Sequence, residues 1–170
     1  MFHELTHVLM DTDFPNAPQW LQEGLATLHE AVEVGGEELD ADAGLFESLA
    51  IGGSGIVPHR GRELRPVLNW RRSILRLARD EARLPSLRRH INAASFRGPN
   101  EALDYAHARY FCLFLHQRGV LSRYYAAFRQ RAETDPTGER TLLDLYGVCD
   151  WDSIDVDFRA WFDDVAGGPS

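Results

Sequence analysis

The segment from Glu101 to Arg118 constrains the fold of this chain strongly, because apolar residues surround most of its helical circumference. These residues are Leu103, Ala106, Tyr110, Phe111, Cys112, Leu113, Phe114 and Leu115. A helix that is apolar on nearly all sides must be buried in the interior of the protein. We therefore predict a largely buried helix here, with Gly119 as the residue that ends it.

Most other segments also carry the apolar period of a helix. Further helices are predicted over 2–10, from near Pro18 with Asn16 or Ala17 as cap, over 39–51, from Trp70, over 87–94, from a cap at Ser122 to 133, and over 139–146. The helix from Trp70 is expected to bury Trp70, Ile74, Leu77 and Ala78. The last helix is the most periodic, with an apolar stripe of Ile154, Phe158, Trp161, Phe162 and Val165.

No run of residues alternates at period two, and no internal repeat is visible. We therefore predict a mainly α protein with a single domain over residues 1–166, an irregular stretch at 37–69 and a frayed tail at 167–170. The irregular stretch is either a surface excursion or the wall of a cleft. No signal peptide or membrane-spanning segment is visible, so we expect a soluble protein, of unknown localisation.

The net charge of −8 hides an arginine-rich segment, because eleven arginines lie between residues 60 and 97. This segment is expected to face the acidic remainder of the chain or solvent, and an acidic whole makes nucleic acid a disfavoured partner. All 18 basic residues are arginine. The absence of lysine excludes a Walker P-loop, a Schiff-base lysine and a Ser-Lys dyad. Cys112 and Cys149 lack metal-ligand spacing and are expected to be buried free thiols.

His3 and His7 are the first candidates for chemistry. Residues four apart on a helix share one face, so the two imidazoles could bind one metal ion. Glu4 flanks the same site, where it could deprotonate a metal-bound water. A five-residue match of this kind also arises by chance.

A zinc ion held by two histidines needs a third protein ligand. Glu23 follows His7 after fifteen residues, on the next predicted helix. Antiparallel packing of the two helices would bring its carboxylate towards both histidines, and Gly24 beside it permits a close approach of helices.

The stretches HELTHVLM and PQWLQEGLA together resemble the gluzincin metallopeptidases of the peptidase-MA-like group, which carry HExxH followed by P-x-W-L-x-E-G-x-A. The resemblance implies one Zn²⁺ per chain, held by His3, His7 and Glu23, with Glu4 as the general base. It implies a zinc-dependent peptidase that hydrolyses peptide bonds in a peptide or protein substrate. The chain would be the helical C-terminal part of such a domain, with the N-terminal sheet absent.

The stretch YAHARYFCLFL is similar to the helix that follows the active site in those peptidases, and Tyr105 matches a tyrosine that points at the metal-bound oxyanion. The resemblance implies that Tyr105 stabilises the oxyanion. Alternatively Tyr105 is a core aromatic residue, with His107 or Tyr110 in its place. Weaker candidates to orient a ligand histidine are Asp11, Thr27 and Glu30.

In the resembling peptidases a small sheet precedes the metal-binding helix, and its edge strand pairs with the substrate. Here His3 lies in the first turn, where a helix frays. A missing upstream segment or a partner subunit is therefore expected to complete the site, with reduced activity from the chain alone. The alternatives are a non-catalytic helical interaction module and nucleic-acid binding through the arginines.

Overall fold

A computed structural model describes residues 2–30, 32–34, 64–66 and 69–167 of the chain. The predicted helix at 39–51, most of the predicted irregular stretch and residues 168–170 of the predicted tail lie outside the described residues.

The described residues confirm a mainly helical protein. Their helices are α1 Phe2–Asp13, α2 Gln19–Leu28, α3 Arg71–Asp80, α4 Leu87–Ile91, α5 Glu101–Gln117, α6 Leu121–Arg131, α7 Glu139–Tyr146 and α8 Trp151–Gly167. Two short strands, β1 Val32–Val34 and β2 Leu64–Pro66, pair antiparallel with Val32 opposite Pro66. The sequence did not predict this strand pair, because three residues are too few to establish an alternating pattern.

Helix α5 lies at the centre of the core, as its apolar circumference predicts. Helices α2, α3, α4, α6 and α8 all contact it. Phe111 and Phe114 are completely buried, and each packs edge-on against Phe158 of α8. Helix α5 ends one residue before Arg118, and Gly119 adopts a left-handed φ of 65° just beyond it.

Helices α1 and α2 are joined by a short turn and pack against one another. Phe14 in the turn contacts Phe128 of α6 edge-on, with 5.1 Å between ring centroids. Trp20 of α2 packs against Phe111 and Tyr124, at centroid distances of 5.4 and 5.8 Å. These aromatic contacts hold both ends of the turn against α5 and α6. The position of α2 relative to α1 is therefore fixed by the core.

Several predictions about helix ends were wrong. Helix α1 extends to Asp13 rather than Met10. Pro18 with extended backbone caps α2, rather than Asn16 or Ala17. Val120 precedes α6 without a side-chain hydrogen bond, so Ser122 is not the cap.

The predicted buried stripe of α3 was also wrong in part. Leu75 and Ala78 are the buried residues, whereas Trp70 and Leu77 are 62% and 55% exposed. Arginines occupy most of the remaining helix surface. The aliphatic parts of their side chains can also cover apolar surface, so the apolar period in the sequence identifies the buried face less clearly. Both cysteines are free thiols as expected, but Cys149 is exposed.

Three arginines in the described part of the arginine-rich segment pair with carboxylates from other parts of the chain. Arg71 binds Glu30, Arg79 binds Asp163, and Arg88 binds Glu139 at 2.9 Å. These pairs agree with the expectation that this segment faces the acidic remainder of the protein. Among the helices that the structure describes, none combines the length and the apolar character needed to cross a membrane.

Candidate metal centre

His3 and His7 lie one turn apart on α1, with their Nε2 atoms 3.2 Å from each other. Their rings are nearly perpendicular, at an interplanar angle of 70°. Both side chains are about one quarter exposed. The ring nitrogens therefore converge on one point that solvent and solutes can reach.

Glu23 of α2 brings a carboxylate to the same point. Its Oε2 atom lies 3.5 Å from His7 Nε2 and 3.8 Å from His3 Nε2. This oxygen is buried and has no hydrogen-bond partner among the described residues. An unpaired buried carboxylate oxygen is costly, so its environment favours a cation at this point.

The spacing of the three atoms fits a zinc ion. Zinc bonds of about 2.0 to 2.2 Å at tetrahedral angles separate ligand atoms by about 3.3 to 3.5 Å. The observed separations of 3.2, 3.5 and 3.8 Å lie near this range. Of the residues that the structure describes, His3, His7 and Glu23 form the group able to hold a metal ion.

Gly24 fixes the depth at which α2 packs beside the site. A Cβ atom at this position would lie 2.5 Å from Cys112 Sγ and 2.9 Å from the Ala108 carbonyl oxygen of α5. Only glycine permits this approach, and Glu23 is its immediate neighbour. The close contact between α2 and α5 therefore sets the position of the carboxylate.

Tyr105 of α5 also reaches the centre. Desolvation by burial raises the pKa of its phenol, and the nearby charge of Glu23 raises it further. The phenol is thus protonated near neutral pH and can act as a hydrogen-bond donor. The structure places Tyr105 next to a candidate ligand, where it can orient that ligand.

Glu4 occupies an exposed position on α1, beside His3 in the chain and three residues before His7. An exposed carboxylate stays accessible to water and to a bound molecule. Glu4 is therefore open to solvent on the same helix as His3 and His7.

The other candidates have different contacts. The Thr27 hydroxyl donates to the Glu23 carbonyl at 2.6 Å, and Glu30 binds Arg71. Tyr110 exchanges hydrogen bonds of 3.3 Å with the backbone of Asn69. Asp11 is exposed on α1. Thr27, Glu30 and Tyr110 are therefore engaged elsewhere, although Thr27 does brace the backbone of Glu23.

His107 is not near the centre either. It is completely buried and stacks on His90 at a centroid distance of 4.2 Å. Burial lowers the pKa of His90 to about 3 and that of His107 well below its usual value, so both rings are neutral. The Asp104 carboxylate lies 3.9 Å from His90, but a neutral ring forms no ion pair with it.

Comparison with models of protein families, with curated proteins and with solved structures yields no match for this chain.

Proposed function

We propose that this chain is a zinc-dependent peptidase of the gluzincin, peptidase-MA-like type. The observation that carries the proposal is the convergence of two imidazole nitrogens and one carboxylate oxygen within 3.2 to 3.8 Å of each other. His3, His7 and Glu23 would hold one Zn²⁺ and leave a fourth position for water or substrate. Glu4, exposed on the same helix next to His3, supports catalysis, because a structural zinc site has no need of a carboxylate at this position.

Bound zinc would supply a Lewis acid that lowers the pKa of a coordinated water from about 15.7 towards 7. Glu4 accepts the proton of the attacking water and later delivers it to the leaving amine. Tyr105 is a protonated donor at the edge of the site. It lies near Glu23, and a donor at this place would stabilise the oxyanion of a bound substrate.

Substitution of Glu4 by Gln tests this proposal. The amide keeps the shape of the side chain but cannot accept a proton, so hydrolysis of a peptide library should fall by about 10² to 10⁴-fold. The zinc content should stay at the parent value, because Glu4 is not a ligand. Glu133→Gln, an exposed residue after α6, serves as the control. Equal hydrolysis by the parent and Glu4→Gln would exclude this mechanism.

A second candidate function is a zincin-like helical interaction module with little activity alone. It is favoured by the apolar side chains that α1 exposes, with Phe2, Leu5 and Val8 at 38%, 44% and 62%. Residues three apart share a helix face, and exposed apolar faces mark contact sites. Under this alternative the parent protein binds zinc without hydrolysing peptides, and Leu5→Ser with Val8→Ser abolishes its association with a partner.

A further inference from the structure

An open cleft lies beside the candidate metal centre, and Tyr105 belongs to both. The cleft has a volume of about 510 Å³. Its apolar lining comes from Trp70, Pro99 and Ala102, and its polar lining includes Arg71, Glu101 and Tyr105. Because Tyr105 lies close enough to Glu23 to feel its charge, a molecule that fills the cleft would lie next to the three-atom centre.

The cleft exposes a large aromatic side chain. Trp70 is 62% exposed. The Arg71 guanidinium lies over its indole ring at 4.5 Å from the centroid. Exposed tryptophan faces are typical of binding sites, because they offer large apolar area at a low cost in conformational entropy.

The charged groups of the cleft do not favour an anionic ligand. The Arg71 guanidinium is already bound to Glu30, and its side chain is only 11% exposed. Glu101 adds a negative charge at the start of α5. An acidic side chain would therefore be repelled by Glu101 without gaining an available cation.

Trp70, whose exposed ring forms a platform beside the cleft, is flanked by two residues whose backbone forms hydrogen bonds. The Asn69 side chain accepts a hydrogen bond of 3.0 Å from the Arg71 backbone N–H, and Tyr110 of α5 bonds the Asn69 backbone. Trp70 lies between these two anchored residues. A pre-formed platform loses little entropy when it binds a ligand.

We propose that this cleft is a substrate subsite that binds a bulky apolar side chain, above all an aromatic one, of the peptide whose bond lies at the His3, His7 and Glu23 centre. The inference rests on the proposed peptidase function. It assigns specificity to Trp70 and Ala102, whose side chains form the apolar wall. The backbone of the peptide would run from the cleft past Tyr105 to the metal ligands.

The substitution Ala102→Trp tests the subsite, because a bulky side chain at this exposed position fills the cleft. Ala126→Trp, at an exposed position of α6 outside the cleft, is the matched control. The zinc-loaded proteins are incubated with a peptide library, and the cleaved bonds are identified by mass spectrometry. The parent should favour aromatic residues at one fixed position by at least about 10-fold, because a single methylene group already gives about 10 to 200-fold discrimination in an apolar pocket. Ala102→Trp should lose this preference at unchanged zinc affinity, and Ala126→Trp should retain it.

A second measurement does not depend on hydrolysis. The metal-free protein is titrated with N-acetyl-phenylalaninamide or N-acetyl-alaninamide while the tryptophan indole N–H signals are followed by NMR. The Trp70 signal, assigned from Trp70→Phe, should shift with the aromatic amide alone, and the shift should disappear in Ala102→Trp.

The outcomes separate the two proposals. No hydrolysis by the zinc-loaded parent would defeat the proposed function. A parent that cleaves peptides with the same preference as Ala102→Trp, and whose Trp70 signal ignores the aromatic amide, would overturn the subsite alone.

Discussion

Two pairs of histidines in this protein show opposite arrangements of the same side chain. His3 and His7 point their Nε2 atoms at each other across 3.2 Å, are a quarter exposed and lie beside the Glu23 carboxylate. His90 and His107 stack face to face at 4.2 Å inside the core. None of the four ring nitrogens of the buried pair has a hydrogen-bond partner among the described residues.

The difference indicates that direction and solvent access, rather than proximity, distinguish a histidine pair that could hold a metal ion from one that could not. Imidazole binds metal through a lone pair in the ring plane, so stacked rings direct their lone pairs side by side. The surface pair instead directs its lone pairs to one point and adds a carboxylate there. The buried pair serves as two flat, neutral core side chains between Phe96 and Phe158.

The largest expected difference between the pairs is in zinc affinity. His7→Ala removes one of three ligands and should weaken zinc binding by more than about 100-fold, the upper end of the loss caused by outer-shell changes. His90→Leu, the control from the buried pair, should bind zinc as the parent does. Competition with a chromophoric chelator measures both. Equal affinities for parent and His7→Ala would show that the surface pair is not a metal site.

The next largest effect concerns the contact that sets the position of Glu23. Gly24→Ala places a methyl group against Cys112 and the Ala108 carbonyl, which should destabilise the protein by about 1 to 3 kcal/mol despite the better helix propensity of alanine. Displacement of α2 should also weaken zinc binding, because Glu23 moves with it. Urea unfolding and the chelator assay follow the two effects.

The partner substitution Cys112→Ala sharpens this test, because it removes the atom nearest to the new methyl group. The double variant Gly24→Ala with Cys112→Ala should lose less stability than the sum of the single losses. Strict additivity would mean that the thiol is not the obstacle.

The smallest effect concerns the pH dependence of stability and comes from the buried pair. The pKa of His90 is about 3 in the folded protein and about 6.5 when unfolded, so the unfolded chain binds more protons between these values. Stability should therefore be full above pH 6.5 and fall by up to about 1.4 kcal/mol per pH unit below it for each such histidine. His107, and His29 with a pKa of about 4, act in the same direction.

His90→Leu should reduce the fall in the free energy of unfolding per pH unit by the contribution of one histidine. Asp104, near His90, and Arg159, near His107, remain in both proteins and do not alter the comparison. Urea unfolding of the metal-free proteins at pH 7 and 5.5 measures the change. An unchanged slope would mean that His90 takes up a proton in the folded state.

Much of the helical framework could be predicted from residue patterns. The apolar circumference of α5 indicated a buried helix, and the stripe of Ile154, Phe158 and Phe162 indicated the packed face of α8; all three residues are buried. The prediction of buried residues was less accurate at α3. There the aliphatic parts of the arginine side chains make the apolar period a weaker guide to the buried face. The strand pair at 32–34 and 64–66 joins segments far apart in the chain, so local patterns carry no signal for it.

The same division applies to the candidate site. The spacing of His3 and His7 determines by itself that both imidazoles share a face of α1, because one turn of helix separates them. The chain also supplies Glu4 and Glu23 within one short hairpin. The sequence alone therefore determined which residue types are candidate ligands and their order along the chain.

Tertiary structure decided where those groups meet. The distance from Glu23 to the histidines depends on how Phe14 and Trp20 pack and on the close approach that Gly24 allows, and all three depend on side chains of α5 and α6. The contact of Tyr105 with Glu23, the cleft beside Trp70 and the stacking of His90 on His107 likewise join residues from separate helices. Helical periodicity fixes directions within one helix, whereas distances between helices are fixed only when the shared core packs.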